Sequence, residues 1–370
     1  MKNQNTKSRQ LWLAFSIILF VNSVFLGNLQ AQPRGRMAGS PIVNPDKSVT
    51  FNFVAPDADQ VMLYSEFIEE DLPMAKNESG VWTVTTEPIK PDIYPYCFVV
   101  DGIQVADPSN EQIFANERFK YSLVDISGDE PLIHSLQKVP HGDITYCNYF
   151  SETLDTYRPL VIYTPPGYRK SNKKYPVLYL IHGGSDTQET WFRVGKVNYI
   201  LDNLIAQKKA VPMVIVMPYG SAWGFPVGAF PKDIVNDVIP YVEDNYNVYT
   251  DQAHRGVAGF SVGGGQTLNI GLMNTDKFDY VSSYSPYTLT EEWRANFENW
   301  NPDVEKMNKD LKLFSISVGE DDYLFESIDK AINMYKDKGF DMDIFITDGA
   351  HTWMNCRKFI ARTAQQVFKE

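Results

Sequence analysis

Gly259-Phe260-Ser261-Val262-Gly263 stands between a short apolar strand pattern at 255–258 and a stretch rich in small residues that reads as a helix. A strand–turn–helix junction of this kind lifts a serine hydroxyl above a sheet edge and sets it at a helix N-terminus. Side chains at Gly259 and Gly263 would crowd so tight a turn, which gives both glycines a steric cause. A serine hydroxyl is a weak nucleophile until a neighbouring base takes its proton. Of the five histidines, His134, His141, His182, His254 and His351, only His351 follows Ser261. It lies just past the last strand pattern, in Thr347-Asp348-Gly349-Ala350-His351-Thr352-Trp353, where a loop can bring it over the serine. The acid that orients such an imidazole should follow the preceding strand, and there the chain reads Gly319-Glu320-Asp321-Asp322. Asp322 is the choice, with Asp321 and Glu320 as alternatives.

A set of this kind serves acyl transfer, which also needs two backbone N–H donors for the developing oxyanion. Val262, directly after the serine, supplies one. The second is expected from His182-Gly183-Gly184-Ser185, with Gly184 preferred over Gly183 and Ser185 because glycine lets the backbone approach a substrate closely. His182 reads as a hydrogen-bonding residue of that loop. Trp191, Trp223, Phe225, Tyr287 and Trp353 are candidate walls for an aromatic acyl group, and each could equally be packing. With no metal cluster or phosphate-cradling loop in the sequence, no metal and no cofactor is expected.

The elements that must hold these residues fall into two patterns. From 40 to about 127 short alternating strands are divided by turn residues, at 49–54, 60–64, 80–84 and 94–100, which predicts a small β-sandwich. From about 135 to 370, apolar strands at 160–163, 177–181, 213–217, 256–258, 280–284, 313–318 and 342–346 alternate with helical stretches near 196–208, 231–245, 262–273, 325–338 and 353–367. That alternation predicts a mostly parallel sheet covered on both faces.

The first residues are expected to lie outside the fold. Lys2, Lys7 and Arg9 precede an apolar run over 11–26, and Leu29-Gln30-Ala31 offers a cleavage point, the layout of a secretory signal peptide over 1–31. Residues 32–39 read as a linker. Losing those three basic residues takes the formal charge from −12 to −15. Such a surface disfavours nucleic acid and anionic membranes and favours neutral or weakly charged substrates. With a signal peptide, the mature chain is expected to be secreted or periplasmic. Three cysteines allow at most one internal disulfide: Cys97 reads as a buried thiol, and Cys147 could pair with Cys356 in an exported chain.

Residues 158–168, 175–184, 237–242, 259–265, 319–322 and 351–353 together resemble the esterase-D-type carbohydrate esterases, which include feruloyl and acetylxylan esterases. The resemblance implies an α/β-hydrolase catalytic domain with Ser261, Asp322 and His351 as its triad, acting on feruloylated or acetylated arabinoxylan. Val262 departs from the methionine frequent in relatives, at a position where only the backbone is needed. Val49-Thr50-Phe51, Ala55-Pro56-Asp57-Ala58, Gly80-Val81-Trp82, Tyr94-Pro95-Tyr96, Val100-Asp101-Gly102 and Asp107-Pro108-Ser109-Asn110 resemble early-set immunoglobulin-like domains, which in some relatives bind glycans and in many only pack on the catalytic domain. Two other readings stay open: a siderophore (enterochelin-like) esterase of the same fold, and a glycan-binding protein whose hydrolase domain is inert.

Overall fold

The computed structural model describes residues 39–220, 228–297 and 299–369. The expected signal peptide, all of the expected linker but Gly39, and the positions Trp223 and Phe225 lie outside the described residues. From Ser40 the chain forms one compact unit.

Its first part is entirely β. Strands β1 (Ile42–Val43), β2 (Val49–Val54), β3 (Val61–Ser65), β4 (Leu72–Pro73), β5 (Ala75–Lys76), β6 (Val81–Thr85), β7 (Asp92–Val100), β8 (Ile103–Val105), β9 (Ile113–Ala115) and β10 (Lys120–Ile126) form two sheets. One has the order β1-β2-β6-β5; the other runs β4-β3-β7-β10-β9, with β8 beside β7. Alternate residues of β2 and β3 point inward, as the pleat dictates. Val49 and Phe51 of one sheet and Val61, Leu63, Tyr96 and Phe98 of the other share one buried core.

The second part is built on eight strands: β11 (Asp143–Ser151), β12 (Thr156–Thr164), β13 (Val177–Ile181), β14 (Val214–Pro218), β15 (Arg255–Phe260), β16 (Tyr280–Tyr284), β17 (Leu313–Gly319) and β18 (Asp343–Thr347). Their order is β11-β12-β14-β13-β15-β16-β17-β18. From β14 to β18 every pairing is parallel. Every residue of β13, β14, β15 and β16 is buried, because helices cover both faces. The loops after β13, β15, β17 and β18 therefore leave from the same edge, the carboxyl edge where open α/β sheets place their ligands.

Three features differ from the sequence reading. Strand β11 is an antiparallel edge strand with mixed exposure, so it carries no apolar run to reveal it. Two short helices, Glu291–Phe297 and Val304–Asp310, also went unforeseen. Cys147 and Cys356 are not bridged: Cys356 is fully buried, and the Cys147 sulfur meets the Tyr246 hydroxyl at 3.3 Å. Cys97 is a buried free thiol.

The β-rich part is fastened to the α/β part by a buried cation. Arg357, on the helix Trp353–Gln366, donates to the Asp92 carboxylate at 2.6 and 3.0 Å, to Ile93 O at 2.8 Å and to Val194 O at 2.8 Å. Removing one partner of such a pair strands a charge away from water and typically costs about 3–5 kcal/mol.

Candidate active site

Ser261 caps the helix Val262–Leu272 in a strained conformation, with φ 57° and ψ −117°. The strain persists because surrounding bonds over-determine the turn: Ser261 N donates to Tyr284 O at 2.9 Å, while Ser261 O accepts from Gly265 N at 3.0 Å and Tyr287 N at 2.8 Å. A Cβ on Gly263 would sit 2.3 Å from His182 O, so only glycine lets the helix start this close to the loop after β13.

His351 lies in the loop between β18 and the helix Trp353–Gln366. Its ring stacks on Phe260, the residue before the serine, with centroids 4.5 Å apart, and Tyr323 flanks it at 4.8 Å. Its Nδ1 meets Asp322 Oδ2 at 2.8 Å, so Nε2 is the ring atom left to exchange a proton. Asp322 is 4 % exposed, whereas Glu320 and Asp321 face solvent. Burial alone would raise the Asp322 carboxyl; the hydrogen bond and charge of His351, the Leu324 N–H and Ser285 outweigh it and hold the group below its ordinary value. It is therefore an anion wherever the imidazole needs one.

On the other side of Ser261 lies the loop 182–186. His182 Nε2 accepts from Gly220 N at 2.8 Å, so Nδ1 carries the proton and donates to Gly183 O at 2.8 Å. Burial pushes this imidazole down to about 4, against the opposing hydrogen bond to Gly183. A neutral ring with both nitrogens committed to backbone is a strut of the loop. Among the described residues neither the Val262 amide nor the Gly184 amide has a hydrogen-bond partner, and a Cβ on Gly184 would touch the Val262 side chain at 3.1 Å. The two residues whose amides lack a partner are thus neighbours beside the serine, while Gly183 O accepts from His182 Nδ1 and Asp186 N. A serine in a strained turn, an imidazole paired with a buried carboxylate and two amides without partners on one sheet edge are the groups that acyl transfer would use.

The aromatic candidates divide. Trp191 is 1 % exposed, its indole N–H donates to Ile181 O at 3.0 Å, and its ring meets Trp353 at 4.9 Å. Trp353 is also buried, edge-on to Phe260 at 5.5 Å. Of the two readings the sequence left open for them, burial and these contacts fit packing beneath the sheet edge. Tyr287 is half-buried beside Ser261 and can still face a ligand. Asn116, whose amide donates to the buried Asp186 carboxylate at 2.9 Å, and Tyr219, whose hydroxyl donates to Glu117, border the loop 182–186 and were not among the sequence candidates. Nothing in their spacing marks them, because what joins them to the site is tertiary contact between distant turns.

A family model described as "Putative esterase" matches residues 151–336, half of the chain. The chain is 29% identical over 344 residues to an endo-1,4-beta-xylanase/feruloyl esterase of Xylanibacter ruminicola, covering 89% of this chain and 46% of that protein. It thus spans less than half the length of that relative. A ferulic acid esterase structure superimposes with a TM-score of 0.56 at 25% identity, covering 61% of this chain and 97% of the other. The enterobactin esterase of Shigella flexneri superimposes with a TM-score of 0.63 at 18% identity, covering 86% and 92%, a likeness of fold.

Proposed function

The chain belongs to the Esterase family, and on that premise we propose that it is a serine carboxylic-ester hydrolase that removes feruloyl or acetyl groups from plant xylan. The observation that carries the reading is the 2.8 Å Asp322–His351 pair, whose ring is stacked on the residue preceding a serine in a strained strand–helix turn. Ser261 Oγ attacks the ester carbonyl carbon as His351 Nε2 takes its proton. The oxyanion is received by the amides of Val262 and Gly184. Collapse expels the sugar alkoxide, which takes the proton back from His351. A water, deprotonated by the same nitrogen, then hydrolyses the acyl-enzyme and returns Ser261 to its free form. Asp322 keeps the imidazole in its Nδ1–H tautomer and offsets the positive charge it acquires.

The feruloyl assignment draws on the xylanase/feruloyl esterase relative, whose alignment includes the β-rich part as well as the α/β part. The half-buried Tyr287 beside the serine suits an aromatic acyl group. The basic and apolar start of the chain supports export, and no helix among the described residues is long and apolar enough to cross a membrane. A second reading, siderophore ester hydrolysis, is favoured by one observation: the enterobactin esterase superposition extends over 86% of the chain, against 61% for the ferulic acid esterase.

The test is release of ferulate and acetate from arabinoxylan by the purified chain beside its Ser261→Ala variant. Ferulate released by the parent alone is the expected result. Acetate alone would keep the mechanism and discard the aromatic acyl pocket. Release of neither, with a small model ester still cleaved, would move the assignment to the siderophore reading.

A further inference from the structure

The tip of the β9–β10 hairpin reaches out of the β-rich part and ends on the loop that carries the Gly184 amide. Asn116 and Asp186 are 3 % and 4 % exposed, and Asn116 Nδ2 donates to Asp186 Oδ1 at 2.9 Å. The Asn116 side chain cannot turn over, because its Oδ1 accepts from Arg118 N at 3.0 Å and closes the hairpin. The next residue makes two more contacts: Glu117 N donates to Ser185 O at 2.7 Å, and the Glu117 carboxylate accepts from the Tyr219 hydroxyl. Tyr219 leads into Gly220, whose N–H holds His182. Asp186 in turn donates its own N–H to Gly183 O at 3.2 Å, and a Cβ on Gly183 would lie 3.1 Å from its Oδ2. Every residue from His182 to Asp186 except Gly184 is thereby tied down, and two of the ties come from a hairpin 70 residues away in sequence.

We infer that Asn116 is a positioning residue for ester hydrolysis, acting through Asp186 to hold the Gly184 amide where the oxyanion forms. The inference rests on the esterase reading above. It makes the β-rich part a structural component of the active site. The neighbouring Glu117 and Glu66 carboxylates both act on Asp186 in the same sense as its burial, raising it. The neutral Asn116 amide is thus the donor that a buried carboxylate in this setting requires. Without it the carboxylate would have to find another donor, and the Gly183–Gly184 backbone is the movable structure beside it.

The test compares hydrolysis of para-nitrophenyl acetate by the full-length parent with that by Asn116→Ala and Asn116→Asp. Displacing an oxyanion donor acts on the transition state, so Asn116→Ala is expected to lower kcat roughly ten- to hundred-fold while KM stays within about threefold. Asn116→Asp faces Asp186 with a second carboxylate. Sharing one proton, the pair mimics the lost hydrogen bond, so activity should stand near the parent's at neutral pH. It should fall on an alkaline limb that neither the parent nor the alanine variant shows, with the circular dichroism spectrum unchanged across it. If Asn116→Ala fails to fold, the alkaline limb of Asn116→Asp alone decides. Variants that keep the parent's kcat and pH profile overturn the inference, as does a loss that disappears below the variant's melting transition. A parent inert toward the ester would overturn the esterase reading itself, a failure readily told apart from unchanged variants of an active parent.

Discussion

The two flanks of Ser261 are held in opposite ways. The acid–base flank is supported from within the α/β sheet: Glu320 N donates to Thr347 O at 2.8 Å, Asp321 N to Gly349 O at 3.1 Å, and Asn355 Nδ2 to Ala350 O at 2.9 Å. These ties join the ends of two adjacent parallel strands and the helix that follows. The oxyanion flank is supported partly from outside, by a hairpin of the β-rich part, and partly by the segment after β14 of the sheet itself. On the function proposed above, the contrast teaches that the proton-transfer half is tied mainly within the α/β part, while the half that stabilises charge also leans on a hairpin of the β-rich part.

The largest expected effect lies on the self-supported flank. His351→Ala removes the base, and kcat should fall on the order of 10⁴-fold, read from the hydrolysis of a model ester. A loss below tenfold would mean that another group takes the serine proton and that the flank is miscast. Gly319→Ala comes next. Its Cβ would lie 2.0 Å from Gly349 O, between the two loops that carry Asp322 and His351. Overpacking of this kind costs about 1–3 kcal/mol, and the midpoint of urea unfolding should drop together with activity. An unchanged midpoint would show that the flank is softer than its hydrogen bonds suggest.

A smaller effect sharpens the picture of the oxyanion flank. Burial pushes the Asp186 carboxyl up to about 7 from an ordinary 3.8, against the hydrogen bonds from Asn116 and Gly183. Between those values the unfolded chain releases the proton that the folded chain retains, so this group makes stability fall as pH rises from about 4 to about 7. Asp186→Asn removes that contribution. The unfolding free energy of the variant minus that of the parent should therefore increase across this window and level off above it. A difference independent of pH would show that Asp186 is solvated. The smallest effect belongs to Val262→Met: the position contributes its amide, so kcat/KM should stay within about twofold. A larger change would mean that the side chain touches the substrate or displaces Gly184.

The same contrast governs what could be read from the sequence. The acid–base flank was legible because each of its residues directly follows a strand pattern, and strand order puts those ends on one edge. Ser261 was legible because its glycines mark a turn that admits no other residue. The support of the oxyanion flank was not, since Asn116 and Glu117 look like any polar hairpin tip until the chain brings them to Asp186 and Ser185. For Trp191 the sequence left ligand wall and packing equally open for a related reason. A tryptophan shortly after a glycine-rich loop has the same sequence signature whether it faces a ligand or, as here, donates its indole N–H to Ile181 O and packs on Trp353. Strand β11 escaped because an edge strand with one wet face lacks the continuous apolar run of its neighbours.

The central claim is that Ser261 is a nucleophile activated by His351, whose ring Asp322 orients. It is tested most directly by reacting the purified chain with a fluorophosphonate and locating the label by peptide mass spectrometry. Labelling should fall on Ser261 alone, vanish in Ser261→Ala, and slow by orders of magnitude in both His351→Ala and Asp322→Asn. A label on another residue, or a labelling rate indifferent to the loss of His351, would contradict it.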